Sequence, residues 1–224
     1  MSSIITTRDL QLSYNKNQQV LENINLDIKR GEFAIITGKS GSGKSTLFKS
    51  FYGDLIPRKG FLNVCGCNID EYTSKTKLKK LRRKIGVIFQ DYKLINEWTI
   101  TKNIMLPLLI NGYSASVCLE QAKKLLKHVH LLHQAKKYPL ELSGGEQQRA
   151  AVARAMAHNP EIILADEPTG NLDQYSSDII WELLKALNEQ LNTTVLVVTH
   201  RIPSMIPKEH KHYKISQKQI NDEF

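Results

Sequence analysis

Gly38-Lys39-Ser40-Gly41-Ser42-Gly43-Lys44-Ser45 follows a short apolar run, Phe33 to Thr37, and opens into a helical stretch, Ser45 to Phe51. That order leaves few folds open. A buried strand, a glycine loop and a helix begin a strand–helix–strand unit, and such units build parallel sheets. The loop also has its own chemistry. Gly38, Gly41 and Gly43 let the backbone curl so that successive N–H groups point inward at an anion. The helix behind them adds its positive N-terminal end. In such a loop Lys44 reaches the β- and γ-phosphates as a point charge, and the Ser45 hydroxyl binds Mg2+. A flexible glycine-serine turn has the same composition, but it does not need a strand before it and a helix after it.

The rest of the chain fits this start. Ile4 to Tyr14 and Val20 to Lys29 read as strands split by a polar turn, Asn15 to Gln18, and Lys29 to Glu32 is a second turn. Phe61 to Val64 and Ile85 to Phe89 are further strands. Between Asp91 and Asn159 the pattern turns helical, with runs Ser116 to Val129 and Glu146 to Ala157, the latter stopped by Asn159-Pro160. Strands resume at Ile162 to Ala165 and Val195 to Thr199, with a helix, Ser177 to Leu191, between them. A hairpin over His212 to Ile220 closes the chain, without the glycine such a turn usually takes. The expected fold is α/β: a mostly parallel core sheet covered on both faces, an N-terminal antiparallel part, and an inserted helical subdomain. The expected division is a core over 1–91 and 160–224 and a helical subdomain over 92–159, within one domain.

Bulk properties narrow the function classes. The longest apolar stretch, Ile104 to Ile110, is interrupted by Pro107 and falls far short of the about 20 residues a membrane helix needs. The N-terminus has no basic region followed by an apolar run, so no secretory leader is expected. Cys65, Cys67 and Cys118 make no metal-binding pattern and are expected to be reduced and structural. All this fits a cytosolic protein. The 31 Lys+Arg against 22 Asp+Glu give a formal charge of +9. Much of the excess lies in one run: Lys75, Lys77, Lys79, Lys80, Arg82, Arg83 and Lys84. Such a run serves a solvated helix face, an anionic membrane surface or a nucleic acid. No aromatics interleave it for base stacking, so nucleic acid ranks last and none is expected as a partner.

Two adjacent carboxylates, Asp166 and Glu167, follow the apolar run Ile162 to Ala165. Burying both would be costly, so they belong at the C-terminal edge of the sheet, where open parallel sheets bind ligands. There Asp166 is placed to hold Mg2+ and Glu167 to polarise an attacking water. His200 ends Leu196 to Thr199 at the same edge, and Gln90 ends Gly86 to Phe89 in the same manner. Ser143-Gly144-Gly145 precedes a helix. Ser143 is a natural cap, and the two glycines expose N–H groups with helix dipole behind them. That is a second phosphate-binding nose in a chain that already has one.

The glycine loop, then Leu142-Ser143-Gly144-Gly145-Glu146-Gln147-Gln148-Arg149, then Ile162 to Glu167 and His200, in this order, resemble the ATP-binding cassette ATPases that drive ABC transporters. The resemblance covers nearly the whole chain. It implies ATP and Mg2+ as cofactors and a binding set of Gly38, Lys39, Ser40, Gly41, Ser42, Gly43, Lys44, Ser45 and Thr46. It makes His200 the switch histidine on the γ-phosphate and Gln90 the glutamine that senses Mg2+ and links the sheet to the helical subdomain. Tyr14 takes the place of an aromatic that stacks on adenine. Asn171-Leu172-Asp173 matches a segment along the dimer interface, and Ser143, Gly144 and Gly145 reach the nucleotide of the opposite subunit. Two copies therefore pair head to tail around ATP, and a polytopic membrane protein turns the cycle into work from the cytoplasmic face of the inner membrane. Ser143 to Arg149 and Asp166 to Asp173 look like the branch serving lipoprotein release, macrolide-type efflux and bacterial cell division. Ile85 to Leu94, with Asp91 after Gln90, is most like the FtsE cell-division branch, which implies an FtsX-like permease. An exporter permease is the alternative, and a cassette ATPase of DNA repair or translation a distant one. Asn103-Ile104-Met105, Glu97-Trp98 and Arg201 after His200 depart from the usual pattern. The apolar side chains of Trp98 to Leu109 are shared between core packing and a partner-docking groove near Gln90.

Overall fold

The structure, a computed structural model, describes residues 2–15, 18–203 and 205–222. The polar turn expected after Asn15 lies largely outside the described residues. Two long strands, β1 (Ser3–Asn15) and β2 (Gln18–Lys29), pair antiparallel, and β4 (Lys59–Val64) and β5 (Cys67–Asn68) extend them in the order β2-β1-β4-β5. Alternation explains the pairing: Ile5, Thr7, Leu10 and Leu12 are buried on one side while Arg8, Asp9 and Tyr14 face out. The register shifts between Thr7 and Leu10, where Asp9 takes a left-handed φ of 46°. A bulge of this kind lets so long a strand twist.

The second sheet has the order β10-β9-β3-β8-β7-β6. Its parallel members are β3 (Phe33–Gly38), β6 (Ile85–Ile88), β7 (Ile162–Asp166), β8 (Thr194–Thr199) and β9 (Lys211–Ser216); β10 (Gln219–Asp222) runs antiparallel at one edge. The strands β3, β7 and β8 are buried on both faces, which is why they read as unbroken apolar runs instead of alternating ones. The register sets Thr37 beside Thr199, Val198 beside Asp166, and Ala165 beside Ile88. Four strand ends are thereby brought to one edge, and the segments leaving them carry the candidate residues. The β9–β10 hairpin turns without glycine because Gln217 (φ 49°) and Lys218 (φ 65°) both adopt left-handed backbone.

Among the described residues, three apolar cores hold the layers together. The first lies between the antiparallel sheet and one face of the central sheet, around α1 (Lys44–Phe51). The second covers the other face with α6 (Gln174–Leu191), whose Ile180, Trp181, Leu184 and Leu187 recur at helical spacing. The third belongs to α3 (Ile100–Ile110), α4 (Ala115–His128) and α5 (Gly144–Met156). The helix α5 serves two cores at once: Val152 and Ala155 pack on the central sheet, Ala150 and Ala153 on the helices. Ile100, Ile104 and Leu108 are buried in the third core, whereas Leu109 and Ile110 are exposed. Asn103 departs from the sequence pattern for a structural reason. It is fully buried, and its side-chain amide bonds the backbone of Ile95, Trp98 and Thr99, fixing the loop before α3. The basic run forms α2 (Lys75–Arg82), capped by Ser74, with only Leu81 buried.

Candidate functional site

The loop after β3 curls through left-handed backbone at Gly41 (φ 76°) and Gly43 (φ 101°). Gly43 is the first flank of α1, and a side chain there would meet Leu21. Lys39, Ser40, Gly41 and Ser45 are exposed, while Lys44 and Thr46 are buried. The Lys44 ammonium donates to the carbonyls of Gly38 (2.8 Å) and Lys39 (3.2 Å), and lies 3.9 Å from Glu167 Oε1. It thus folds back over the mouth of its own loop, held by neutral oxygens that a stronger anion displaces. The Ser42 hydroxyl is buried with no hydrogen-bond partner among the described residues.

Across the sheet edge, Asp166 and Glu167 leave the end of β7. Burial, and then the neighbouring Glu167 charge, push the Asp166 carboxyl above its ordinary value, while the Ser45 hydroxyl and the Lys44 charge pull the other way. Its Oδ1 is buried and unpartnered. Glu167 adopts a left-handed backbone (φ 45°), an uncommon conformation for a non-glycine residue and one that clusters at functional sites. Its amide donates to the Val198 carbonyl at 2.8 Å, so β8 sets its position. Its Oε2 accepts from the His200 backbone (3.3 Å) and lies 2.8 Å from His200 Nδ1. Glu167 and His200 are therefore one unit, with the carboxylate mostly buried and the imidazole half exposed.

Gln90 follows β6 and is exposed. Its Nε2 donates to Asn171 Oδ1 at 3.1 Å, and Asn171 Nδ2 reaches back to the Gln90 carbonyl at 3.4 Å. The turn beyond it, Tyr92 and Lys93, has left-handed backbone at two consecutive non-glycine residues (φ 62° and 49°). Arg154, in the last turn of α5, holds both carbonyls, at 2.7 and 2.6 Å. Burial lowers the Arg154 pKa to about 10, which leaves it charged near neutral pH. Gln148, fully buried in the middle of α5, donates to the Pro168 carbonyl at 2.7 Å and more weakly to that of Phe89. The helix α5 is thus fastened both to the turn after Gln90 and to the segment after Glu167. Sequence reading did not find Gln148, Arg154, Tyr92 or the partner role of Asn171. Each acts through a backbone group distant in the chain, and no local pattern marks that.

At its start α5 is closed by a capping box: Ser143 accepts from the Glu146 amide and the Glu146 carboxylate accepts from Ser143. The two glycines face neighbours other than the phosphate loop. A side chain at Gly144 would meet the Tyr92 hydroxyl, and one at Gly145 would meet Ser176. Asp173 caps α6, with its two oxygens taken by the amide and hydroxyl of Ser176. Tyr14 is half exposed near the end of β1. Its hydroxyl is 3.3 Å from Thr46 Oγ1, and the Lys49 ammonium lies 5.8 Å from its ring centre. The structure therefore gathers Tyr14, the loop from Gly38 to Thr46, Asp166, Glu167 and His200 on one edge. Gln90 joins that edge through Asn171, and Ser143, Gly144, Gly145 and Asp173 stand together beside α6.

These residues fit a nucleotide phosphate and a magnesium ion. A buried lysine that donates only to loop carbonyls and stands at the far limit of an ion pair with Glu167, an orphaned loop hydroxyl and an orphaned carboxylate oxygen are the groups such ligands would satisfy. Among the described residues no helix is long and apolar enough to cross a membrane.

Comparison with known proteins identifies the family. The model of the ABC transporter family matches residues 21–170. The cell division ATP-binding protein FtsE of Streptococcus pneumoniae is 42% identical over 198 residues, 88% of this chain and 85% of that protein. The lipoprotein-releasing system ATP-binding protein LolD 1 of Chlorobium chlorochromatii is 43% identical over 197 residues, 86% and 79% of the two chains. Among solved structures, the dimeric post-hydrolysis state of the ATP-binding cassette MJ0796, bound to ADP and Pi, is 36% identical, with a TM-score of 0.88 and coverage of 98% of this chain and 97% of that one. The fold is that of an ABC ATPase, and the chain belongs to the ABC transporter ATP-binding family, an ATPase subunit whose cofactors are ATP and Mg2+.

Proposed function

We propose that this chain is the ATPase subunit of a cell-division complex at the cytoplasmic face of the inner membrane, working as an ATP-dependent homodimer beneath a polytopic permease. The observation that carries the catalytic part is the juxtaposition of Lys44, Asp166, Glu167 and His200 at one sheet edge. Lys44 exchanges the carbonyls of Gly38 and Lys39 for the β- and γ-phosphates. Ser45, Asp166 and Gln90 would hold a magnesium ion, which would supply charge neutralisation for the nucleotide's phosphates. Glu167, its carboxylate anchored by His200 and by the His200 amide, orients and polarises the attacking water. Tyr14 stacks on the base, and the amides of Gly38 to Thr46 surround the phosphates.

In the same reading, Ser143, Gly144 and Gly145 of a second copy close the site, with Asp173 beside them on the shared face. One chain offers both a phosphate loop and a capped glycine nose, and the nearest neighbours of the two nose glycines, Tyr92 and Ser176, lie outside that loop. The dimeric state of the cassette MJ0796 supports this pairing. The core over 1–91 and 160–224 and the helical part over 92–159 then move against each other, with α5 and its links to Phe89, Tyr92 and Lys93 as the joint.

The cell-division role rests on the likeness to FtsE and on Asp91 after Gln90. The comparable identity to LolD favours lipoprotein release as the second reading. Depletion of the protein in its host cell separates them. Filamentous, undivided cells with normally sorted lipoproteins are expected. Normal division with lipoproteins stranded in the inner membrane would replace the first reading with the second.

A further inference from the structure

The two ends of the Gln90 amide differ in chemistry. Oε1 only accepts, so it can meet a cation, whereas Nε2 only donates. Two neighbours outside the phosphate loop decide which way the amide faces. Asn171 Oδ1 accepts from Gln90 Nε2 at 3.1 Å, and Asn171 Nδ2 donates to the Gln90 main-chain carbonyl at 3.4 Å. A main-chain carbonyl only accepts, so it sets Asn171 with Nδ2 toward it. Oδ1 is then the end left for the Gln90 side chain, and it takes only a donor. Each amide is thereby held in one orientation, with Gln90 Oε1 on the side of Cδ away from the bonded Nε2. Gly170 is the floor beneath. A Cβ there would stand 2.9 Å from Gln90 Nε2 and 3.3 Å from its Cδ. The Gly170 backbone is not left-handed, so this close approach, and not backbone freedom, is what calls for glycine.

The turn that carries this seat is itself held. The Gly170 amide donates to the Glu167 carbonyl at 3.1 Å, and the Leu172 amide to that of Thr169 at 3.2 Å. Gln148 donates to the carbonyls of both Pro168 and Phe89, which ties the turn to the segment that ends in Gln90. We propose that Gly170 and Asn171 are positioning residues for Gln90, which seat its amide so that Oε1, and not Nε2, is the end presented to magnesium. The inference rests on reading Gln90 as a magnesium ligand and adds the groups that select the end of its amide. Outer partners that orient a metal ligand in this way raise metal affinity by about 10–100-fold. Glu167 and the seat of Gln90 share one turn, so the same short segment places both the base and the metal-facing glutamine.

The test measures the affinity of the full chain for a non-hydrolysable ATP analogue in Mg2+ and in excess EDTA, and the ratio of the two reports what the metal adds. Gln90, Gly170 and Asn171 are all exposed, so replacing them disturbs no core. Asn171→Ala should cut the ratio by about tenfold, with the affinity in EDTA within about twofold of the parent. Gly170→Ala should cut it by about threefold, because its methyl group lifts the Gln90 amide off Asn171 while both partners remain. Gln90→Ala should cut it at least as far as Asn171→Ala does. Adding Asn171→Ala to Gln90→Ala should then change it by less than about twofold, because one residue acts through the other. In the nucleotide-free protein, the NMR order parameter of the Gln90 side-chain amide, identified by its loss in Gln90→Ala, should fall below about 0.6 in Asn171→Ala and in Gly170→Ala. An unchanged ratio in Asn171→Ala beside a reduced one in Gln90→Ala overturns the inference and leaves the magnesium site standing. So do losses that add in the double variant, or an amide as ordered in Asn171→Ala as in the parent. An unchanged ratio in Gln90→Ala overturns the reading of Gln90 as a ligand, and the inference with it.

Discussion

Replacing Gly43 by alanine should damage the fold as well as the loop, and the size of the damage follows from its surroundings. Gly43 has a φ of 101°, outside the regions that L-residues favour. Holding a side chain there costs about 1–3 kcal/mol. The new Cβ would also stand 2.8 Å from Leu21 Cδ2 and 3.2 Å from Val20 Cγ1, and Leu21 is fully buried in the first core. Overpacking of that kind adds about 1–3 kcal/mol. The total, about 2–6 kcal/mol, is a large part of the stability of an ordinary domain. Gly41→Ala is the internal control. Its φ of 76° carries the backbone cost, but nothing lies within 4 Å of its added Cβ, so about 1–2 kcal/mol is expected. Urea unfolding followed through the buried Trp181 measures both midpoints. Equal losses in the two variants would refute the packing of the loop against β2, and a loss under about 0.5 kcal/mol at Gly43 would refute the loop conformation itself.

Two further perturbations have signs fixed by the structure. The Asp166 carboxyl is pushed up by burial and by Glu167, so the folded nucleotide-free protein holds that proton more tightly than the unfolded chain does. The penalty is absent below the ordinary aspartate range, grows as pH rises from that range through the raised folded value, and persists in full above it. Asp166→Asn should therefore melt at a higher temperature than the parent at pH 8 without nucleotide, with the gap closing toward pH 4, while magnesium-dependent nucleotide binding is lost; a lower melting temperature at pH 8 would contradict the burial argument. Arg154→Met removes two charged hydrogen bonds from the strained turn at Tyr92 and Lys93, at a cost of about 2–4 kcal/mol. Faster amide exchange across 89–93 than in the parent is the expected readout, and unchanged exchange there would show that the arginine does not hold the turn.

Much of this architecture was legible because burial writes itself into the sequence. The apolar runs of β3, β7 and β8 and the glycine loop between strand and helix have no other comfortable reading, and the carboxylates and histidine lie where those strands end. What was not legible depends on partners far along the chain. Gln148 and Arg154 look like ordinary polar positions of a helix until Phe89, Pro168, Tyr92 and Lys93 are seen to offer carbonyls to them. The apolar stretch of α3 could not be divided by sequence alone. Its helical phase turns Ile100, Ile104 and Leu108 inward and leaves Leu109 and Ile110 outside. The closing hairpin lacked its glycine because Gln217 and Lys218 accept the left-handed backbone instead.

The central claim is that Glu167, held by His200, activates water at a nucleotide gripped by Lys44. Glu167→Gln preserves size and removes the charge, so a single-turnover measurement of ATP hydrolysis beside a binding measurement tests it directly. ATP affinity should stay within about threefold while the hydrolysis rate falls by about 100-fold or more, the range expected when a general base is lost. Hydrolysis within about threefold of the parent, with binding intact, would contradict the assignment.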